Sequence, residues 1–95
     1  MMEAAAIVLH PADDVAVLVA AVKAGDDVAV RGAREGLRLV AGATLVSGHK
    51  LALRDCEAGC DIRKYGEVIG RLTAPVAAGD HIHVHNLRSL RGHIG

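Results

Sequence analysis

Residues 79–86 read Gly79-Asp80-His81-Ile82-His83-Val84-His85-Asn86, and this stretch sets the terms for the rest of the chain. Three histidines alternate with two aliphatic residues. A β-strand sends successive side chains to opposite faces. Extended backbone here therefore predicts a row of imidazoles on one face, with Ile82 and Val84 on the other. The aliphatic face can enter a core while the imidazole face lines a surface or cleft. Few strands need that many imidazoles for stability alone.

The stretch opens on Ala78-Gly79, and similar openings recur upstream. Ala24-Gly25-Asp26-Asp27-Val28 runs on to Gly32, and Ala58-Gly59-Cys60-Asp61-Ile62 to Gly66. Ala78-Gly79-Asp80-His81-Ile82 runs on to Asn86, and Ala41-Gly42-Ala43-Thr44-Leu45 reads as a looser fourth copy. Each copy is Ala-Gly, two turn residues, then an aliphatic. Glycine supplies the positive φ of a tight turn, and the aliphatic starts the next strand. Gly32, Gly66 and Asn86 are all residue types that tolerate the left-handed region. The pattern predicts short strands between glycine turns, an all-β domain. Its irregular period argues against a solenoid.

The remaining segments fit that reading. Ala4–His10 is a first strand, ended by the turn His10-Pro11-Ala12-Asp13-Asp14. Val15–Val22 could be a helix capped by Asp13 or Asp14, but its β-branched content favours a strand. Leu37–Val40, His49–Asp55 and Glu67–Ala74 lie between the turns. The tail Leu87–Gly95 has no clear period; it is expected to fray or to dock on a partner, with residues 88–95 flexible.

The 95 residues suffice for one small domain. Hydrophobic residues make up 52% of them, enough for a core, yet there is no Phe, no Trp and a single Tyr, Tyr65. Aromatic rings bring the largest burial per residue. A domain without them is expected to be marginal alone and to gain from oligomerisation or a partner subunit. Acidic and basic residues balance at 11 each, with no basic run and no stacking platform, so nucleic-acid binding is disfavoured. No apolar run has membrane-spanning length, and Met1–His10 lacks the features of a signal peptide. The expected setting is cytoplasmic. Cys56 and Cys60, spaced C-x3-C, are expected to be free thiols, a small core residue and a loop residue.

Three blocks match a known family: Gly48-His49-Lys50-Leu51-Ala52-Leu53, Lys64-Tyr65-Gly66-Glu67-Val68-Ile69-Gly70 and Gly79–Leu87. With the opening His10-Pro11…Asp14-Val15-Ala16-Val17, the chain resembles the small SAF-type domain of altronate dehydratase, galactarate dehydratase and sulfolactate sulfo-lyase (the UxaA-type family). The resemblance implies a β-clip, short strands folded around themselves as in the antifreeze-like domain of sialic acid synthase. It implies a lyase that eliminates water or sulfite from a sugar acid or sulfolactate. It also implies a divalent metal, iron or manganese, held mainly by a large catalytic subunit, with this chain as the separate small subunit. Val30–Leu39 carries no family hallmark, and Cys56 and Cys60 stand where an aliphatic and a polar turn residue are expected.

Each candidate residue has a functional and a plain reading. His81, His83 and His85 can bind a metal or a carboxylate, or form a solvated strand face. Of these, His83 and His85 are the expected metal ligands and His81 a substrate contact. Alternate strand residues are well apart, so one ion would reach two of them and need a ligand from elsewhere. His49 and Lys50 are candidates for a catalytic role toward an anionic substrate, or else begin an ordinary strand. Lys64 and Tyr65 are candidate substrate contacts, or a surface charge and a ring covering the core. Asn86 either contacts substrate or caps a turn. Arg31, Arg34 and Arg38 read as a solvated loop. His10 and His93 read as incidental.

Elimination beside a carboxylate needs a base and a cation to stabilise the developing enediolate, more than this chain can bury alone. The expected role is a dependent subunit that presents histidine and lysine to a sugar acid. A stand-alone sugar-acid or metal-binding module and a structural homo-oligomer are the alternatives.

Overall fold

A computed structural model describes residues 4–90. Two of its strands explain why the middle of the sequence shows little alternation. β2 (Val15–Leu18) pairs antiparallel with β5 (Lys50–Ala52), with Val15 opposite Ala52 and Ala16 opposite Leu51. Cross-strand partners share a face of the sheet. Ala16 and Leu51 enter a core with Ala6, Leu18, Val28 and Leu39. Val15 and Ala52 enter a second core with Cys56, Ile62, Leu72 and Ile82. Both faces of these strands are buried, so the run Val15–Leu18 is apolar throughout rather than every second residue. The preference for strand over helix here holds, over a shorter span than Val15–Val22.

The larger sheet has the order β4-β3-β1-β2-β5-β8. Its other members are β1 (Ala4–Val8), β3 (Asp27–Gly32), β4 (Arg38–Val40) and β8 (His81–Ile82). β1 and β3 run parallel, and the other pairings are antiparallel. A second sheet joins β6 (Asp61–Lys64), β7 (Glu67–Leu72) and β9 (Leu87–Ser89) in the order β6-β7-β9. No described residue is helical. The two cores are aliphatic apart from Cys56, and the chain extends over 41 × 24 × 22 Å.

The glycine turns recur four times, in two crossed pairs. Val22 and Leu45 exchange two backbone hydrogen bonds, of 2.8 and 3.0 Å, and Cys56 and Val76 exchange two of 2.9 Å. Three residues after each of these bridging positions stands Gly25, Gly48, Gly59 or Gly79, with φ of 90, 91, 93 and 92°. Each glycine N–H donates to a carbonyl at the end of the loop it crosses: Ala41, Leu18, Leu72 and Ala52, all at 2.8 Å. The fourth copy is thus Leu45-Val46-Ser47-Gly48-His49-Lys50, not Ala41-Gly42-Ala43-Thr44-Leu45. Gly42 has no positive φ. The turn requires the glycine and tolerates Ser where the other copies have Ala. Gly79 needs its missing side chain twice over, because a Cβ there would also collide with the Val40 carbonyl oxygen.

Four further expectations give way. The histidine strand stops at Ile82, and residues 83–86 form a turn closed by Asn86 and Leu87 N–H donors to the His83 carbonyl, at 3.0 and 2.9 Å. Val84 consequently leaves the core and is 80% exposed. Asn86 has no positive φ; it is buried. The segment expected to be a flexible tail instead begins as β9, where Leu87, Arg88 and Ser89 pair with Leu72, Arg71 and Gly70. Residues 91–95, and His93 with them, lie outside the described residues. Arg31 and Arg38 sit in β3 and β4 rather than in a loop, while Arg34 lies between those strands.

Candidate functional site

The crossed turns deliver the histidines to one place. In two of the four copies the residue after the glycine is Asp26 or Asp80, and its carboxylate accepts the N–H of Lys23 or Ala77 at 2.8 Å. In the Leu45–Lys50 copy that position is His49. Its ring is therefore not committed to capping its own turn, while its carbonyl accepts the Leu18 N–H at 2.9 Å. β5 then pairs with β8, Lys50 opposite Ile82 and Leu51 opposite His81. This register carries the His49 and His81 rings to the same end of the sheet. His81 Nε2 lies 3.0 Å from His49 Nδ1, one nitrogen donating and the other accepting.

The turn after β8 adds the third ring. Asn86 Oδ1 accepts the His83 N–H at 3.0 Å, and Asn86 Nδ2 donates to the His81 carbonyl at 2.8 Å. One buried amide thus ties together the two backbone positions on either side of Ile82. The His83 ring stacks on His81, 11° from parallel with centroids 5.3 Å apart, and His49 stands edge-on to both. The His85 centroid also lies 5.3 Å from that of His81, tilted by 44°. One nitrogen from each of His49, His81 and His83 falls within 4.8 Å of the others. His85 does not belong to that group, which joins His83 to His49 and His81 rather than to the His85 expected beside it on a strand.

Next to the rings opens a cavity of about 170 Å³ lined by Lys50, Lys64, His83, Val84, Ile69 and Leu87. Lys64 reaches it from the hairpin between β6 and β7, and two acidic residues set that hairpin. Asp13, 2% exposed, accepts the N–H groups of Tyr65 and Gly66 at 3.0 and 2.8 Å. Asp14 accepts the Arg63 N–H at 2.8 Å and pairs with Arg54 at 3.1 Å. The sequence marks both aspartates as turn residues. Their bonds reach some 50 positions along the chain, to partners that only the folded arrangement brings near. Tyr65 takes φ 56° at the hairpin tip and is 65% exposed. Its ring therefore does not cover the core; the Lys64 ammonium lies 5.3 Å from its centroid.

The electrostatics divide the site. Burial, and then the charges of His49, His85, His83 and Lys50, pull the His81 pKa down to about 4. His81 is therefore neutral at neutral pH and offers a lone pair or an N–H rather than a positive charge. Burial, and then the charge of Lys64, lowers the Lys50 pKa from its usual value. Two lysines thus line a cavity beside the His49–His81 pair. Of the sequence-predicted residues, His49, Lys50, Lys64, His81 and His83 come together here, with His85 at the edge. Asn86 acts as the turn cap rather than as a free donor. Tyr65 lies beside Lys64, outside the cavity lining. Three imidazoles are a donor set suited to a first-row transition metal, and a carboxylate anion is suited to the lysines.

These features describe a small all-β domain of crossed glycine loops. The family model described as the altronate/galactarate dehydratase SAF domain matches residues 4–90. The chain belongs to that family. Altronate dehydratase of Escherichia coli (strain K12) is 40% identical over 83 residues, which are 87% of this chain and 16% of the relative. The chain thus spans about a sixth of that enzyme's length. The (2R)-sulfolactate sulfo-lyase subunit alpha of Chromohalobacter salexigens is 35% identical over 88 residues, covering 88% of this chain and 94% of the relative. That of Paracoccus pantotrophus is 41% identical over 54 residues, covering 57% and 81%. Among the described residues, no helix is long and apolar enough to cross a membrane.

Proposed function

We propose that this chain is the small component of a carbon–oxygen or carbon–sulfur lyase and presents a histidine and lysine face to the carboxylate of a sugar acid or of sulfolactate. The observation that carries the reading is the convergence of Lys50, Lys64 and His83 on one cavity beside the His49–His81 pair. Two lysines suit an anionic substrate, each as a compact point charge. The His49–His81 pair stands beside the lysines, with His81 held neutral, so that it offers a lone pair or an N–H rather than a charge. A divalent metal, iron or manganese, would supply charge stabilisation at the developing enediolate. The rest of the catalytic apparatus belongs to a large subunit, a division favoured by the near full-length match to a relative named subunit alpha. The cavity of about 170 Å³ falls below the roughly 300–1,000 Å³ usual for a small-ligand site, which favours completion by a second polypeptide.

The test is reconstitution. The chain is co-expressed with a large-subunit lyase, and water loss from altronate or galactarate and sulfite release from sulfolactate are measured. A stable complex whose activity requires this chain is the expected result. Lys50→Ala and Lys64→Ala should each raise KM by roughly tenfold, about the 1.4 kcal/mol of one lost charge-assisted contact. Full activity of the large subunit without this chain refutes the proposal. Micromolar binding of hexonates by the chain alone, with no partner captured, favours a stand-alone binding module instead.

A further inference from the structure

We propose that His49, His81 and His83 form a transition-metal site carried by this chain itself, with His49 and His81 as a preset pair and His83 as the ligand that closes onto the ion. Three observations lead there. The first is spacing. At a metal–imidazole distance of about 2.1 Å, two ligands at right angles lie about 3.0 Å apart, and two at a tetrahedral angle about 3.4 Å. The His49 Nδ1 to His81 Nε2 separation is 3.0 Å. The separation therefore matches a metal's edge, and an ion would displace the proton held between the two nitrogens as the rings turn to converge their lone pairs on it.

The second is the difference in freedom between the rings. His49 and His81 are partly buried, at the ends of paired strands, whereas His83 is exposed on the turn. The three nitrogens span up to 4.8 Å, so the third must move inward by one to two ångströms, roughly what a χ rotation of an exposed ring allows. The Asn86 amide fixes the backbone at His81 and at His83, so this motion is confined to the side chain. The third is donor chemistry. The group contains no carboxylate. An all-imidazole set favours zinc, nickel, copper or iron over magnesium and calcium, which prefer oxygen ligands.

Three protein ligands leave coordination positions open, and His83 also lines the cavity that holds Lys50 and Lys64. Those positions would face a carboxylate held by the lysines. That use rests on the lyase reading above, whereas the ion site does not and can be tested on the chain alone.

The experiment uses the full chain without a polyhistidine tag, stripped with chelator and titrated with Co²⁺ by visible absorption and with Zn²⁺ by calorimetry. The expected result is one ion per chain with micromolar or tighter affinity and a d–d spectrum of nitrogen ligation. His49→Gln, His81→Gln and His83→Gln should each weaken binding by roughly tenfold or more, while His85→Gln and His10→Gln should leave it within about twofold. If His81→Gln does not fold, imidazole NMR of the wild-type chain replaces it. Zn²⁺ should then shift the ring resonances of His49, His81 and His83 but not those of His85. Absence of stoichiometric binding overturns the proposal. So does a loss of binding in His85→Gln with His49→Gln unaffected, which would restore the strand pairing of His83 with His85. A chain that binds no ion yet still activates a large subunit sinks the metal site and leaves the lyase reading standing. One that binds the ion but neither associates with nor activates a large subunit does the reverse.

Discussion

Asn86→Ala is the substitution that most directly joins the fold to the site. Asn86 is 8% exposed, and its amide makes two hydrogen bonds, accepting from His83 N at 3.0 Å and donating to the His81 carbonyl at 2.8 Å. Each contributes about 1 kcal/mol net, and stranding the backbone partners in a buried turn adds about 1 kcal/mol or more. The expected cost is about 2–4 kcal/mol. Ordinary domains have only about 5–15 kcal/mol in total, and a core without aromatic rings places this one toward the lower end. Urea unfolding followed by far-ultraviolet circular dichroism reads the loss as a lower midpoint at unchanged slope. Asn86→Asp separates the two bonds. It keeps the acceptor for His83 N but sets a carboxylate oxygen against the His81 carbonyl, so it should also be destabilised. A change below about 0.5 kcal/mol in Asn86→Ala, or an Asn86→Asp chain as stable as the original, would refute the cap.

Three further outcomes are expected. Because the folded chain holds the His81 pKa at about 4 while an unfolded imidazole titrates near 6.5, the unfolded state takes up a proton that the folded state refuses between those values. Stability should therefore fall as pH drops through that window, and His81→Gln should show a shallower fall in urea midpoints; identical slopes would contradict it. Gly79→Ala should cost several kcal/mol, since the Cβ meets the Val40 carbonyl on top of φ 92°, whereas Gly48→Ala, at φ 91° with nothing within 4 Å, should cost about 1 kcal/mol. Equal losses in thermal melts would show that the close approach does not matter. Tyr65→Asn should raise the melting temperature, by up to about 1 kcal/mol of stability, because Asn accepts the φ of 56° at the hairpin tip more readily than an aromatic residue; a lower melting temperature would mean that the tyrosine ring packs usefully.

What the sequence displayed and what it concealed divide along a physical line. Glycine turns are legible because positive φ is a local demand, met by the residue itself. Gly25, Gly59 and Gly79 stand where that demand predicts, and the Ser47-Gly48 copy is less legible because serine takes the place of the alanine that precedes the other three glycines. Strand length is not local. The alternation through His85 points to a strand, yet β8 ends at Ile82 because the next residues turn around the Asn86 side chain, a bond that period-2 patterning does not express. The candidate site depends on both kinds of information. His81 and His83 are neighbours in sequence, but the ring within 3.0 Å of His81 is that of His49, brought by a ladder between strands 30 residues apart. Lys64 joins the cavity through a hairpin held by Asp13 and Asp14, whose carboxylates the sequence assigns only to a turn. An imidazole row on an isolated strand could offer an ion two ligands at most, with a third sought on another polypeptide. The turn and the β5–β8 pairing supply that third ring from within the chain. A second polypeptide would then be needed to close the cavity over a substrate, and not to complete the histidine cluster.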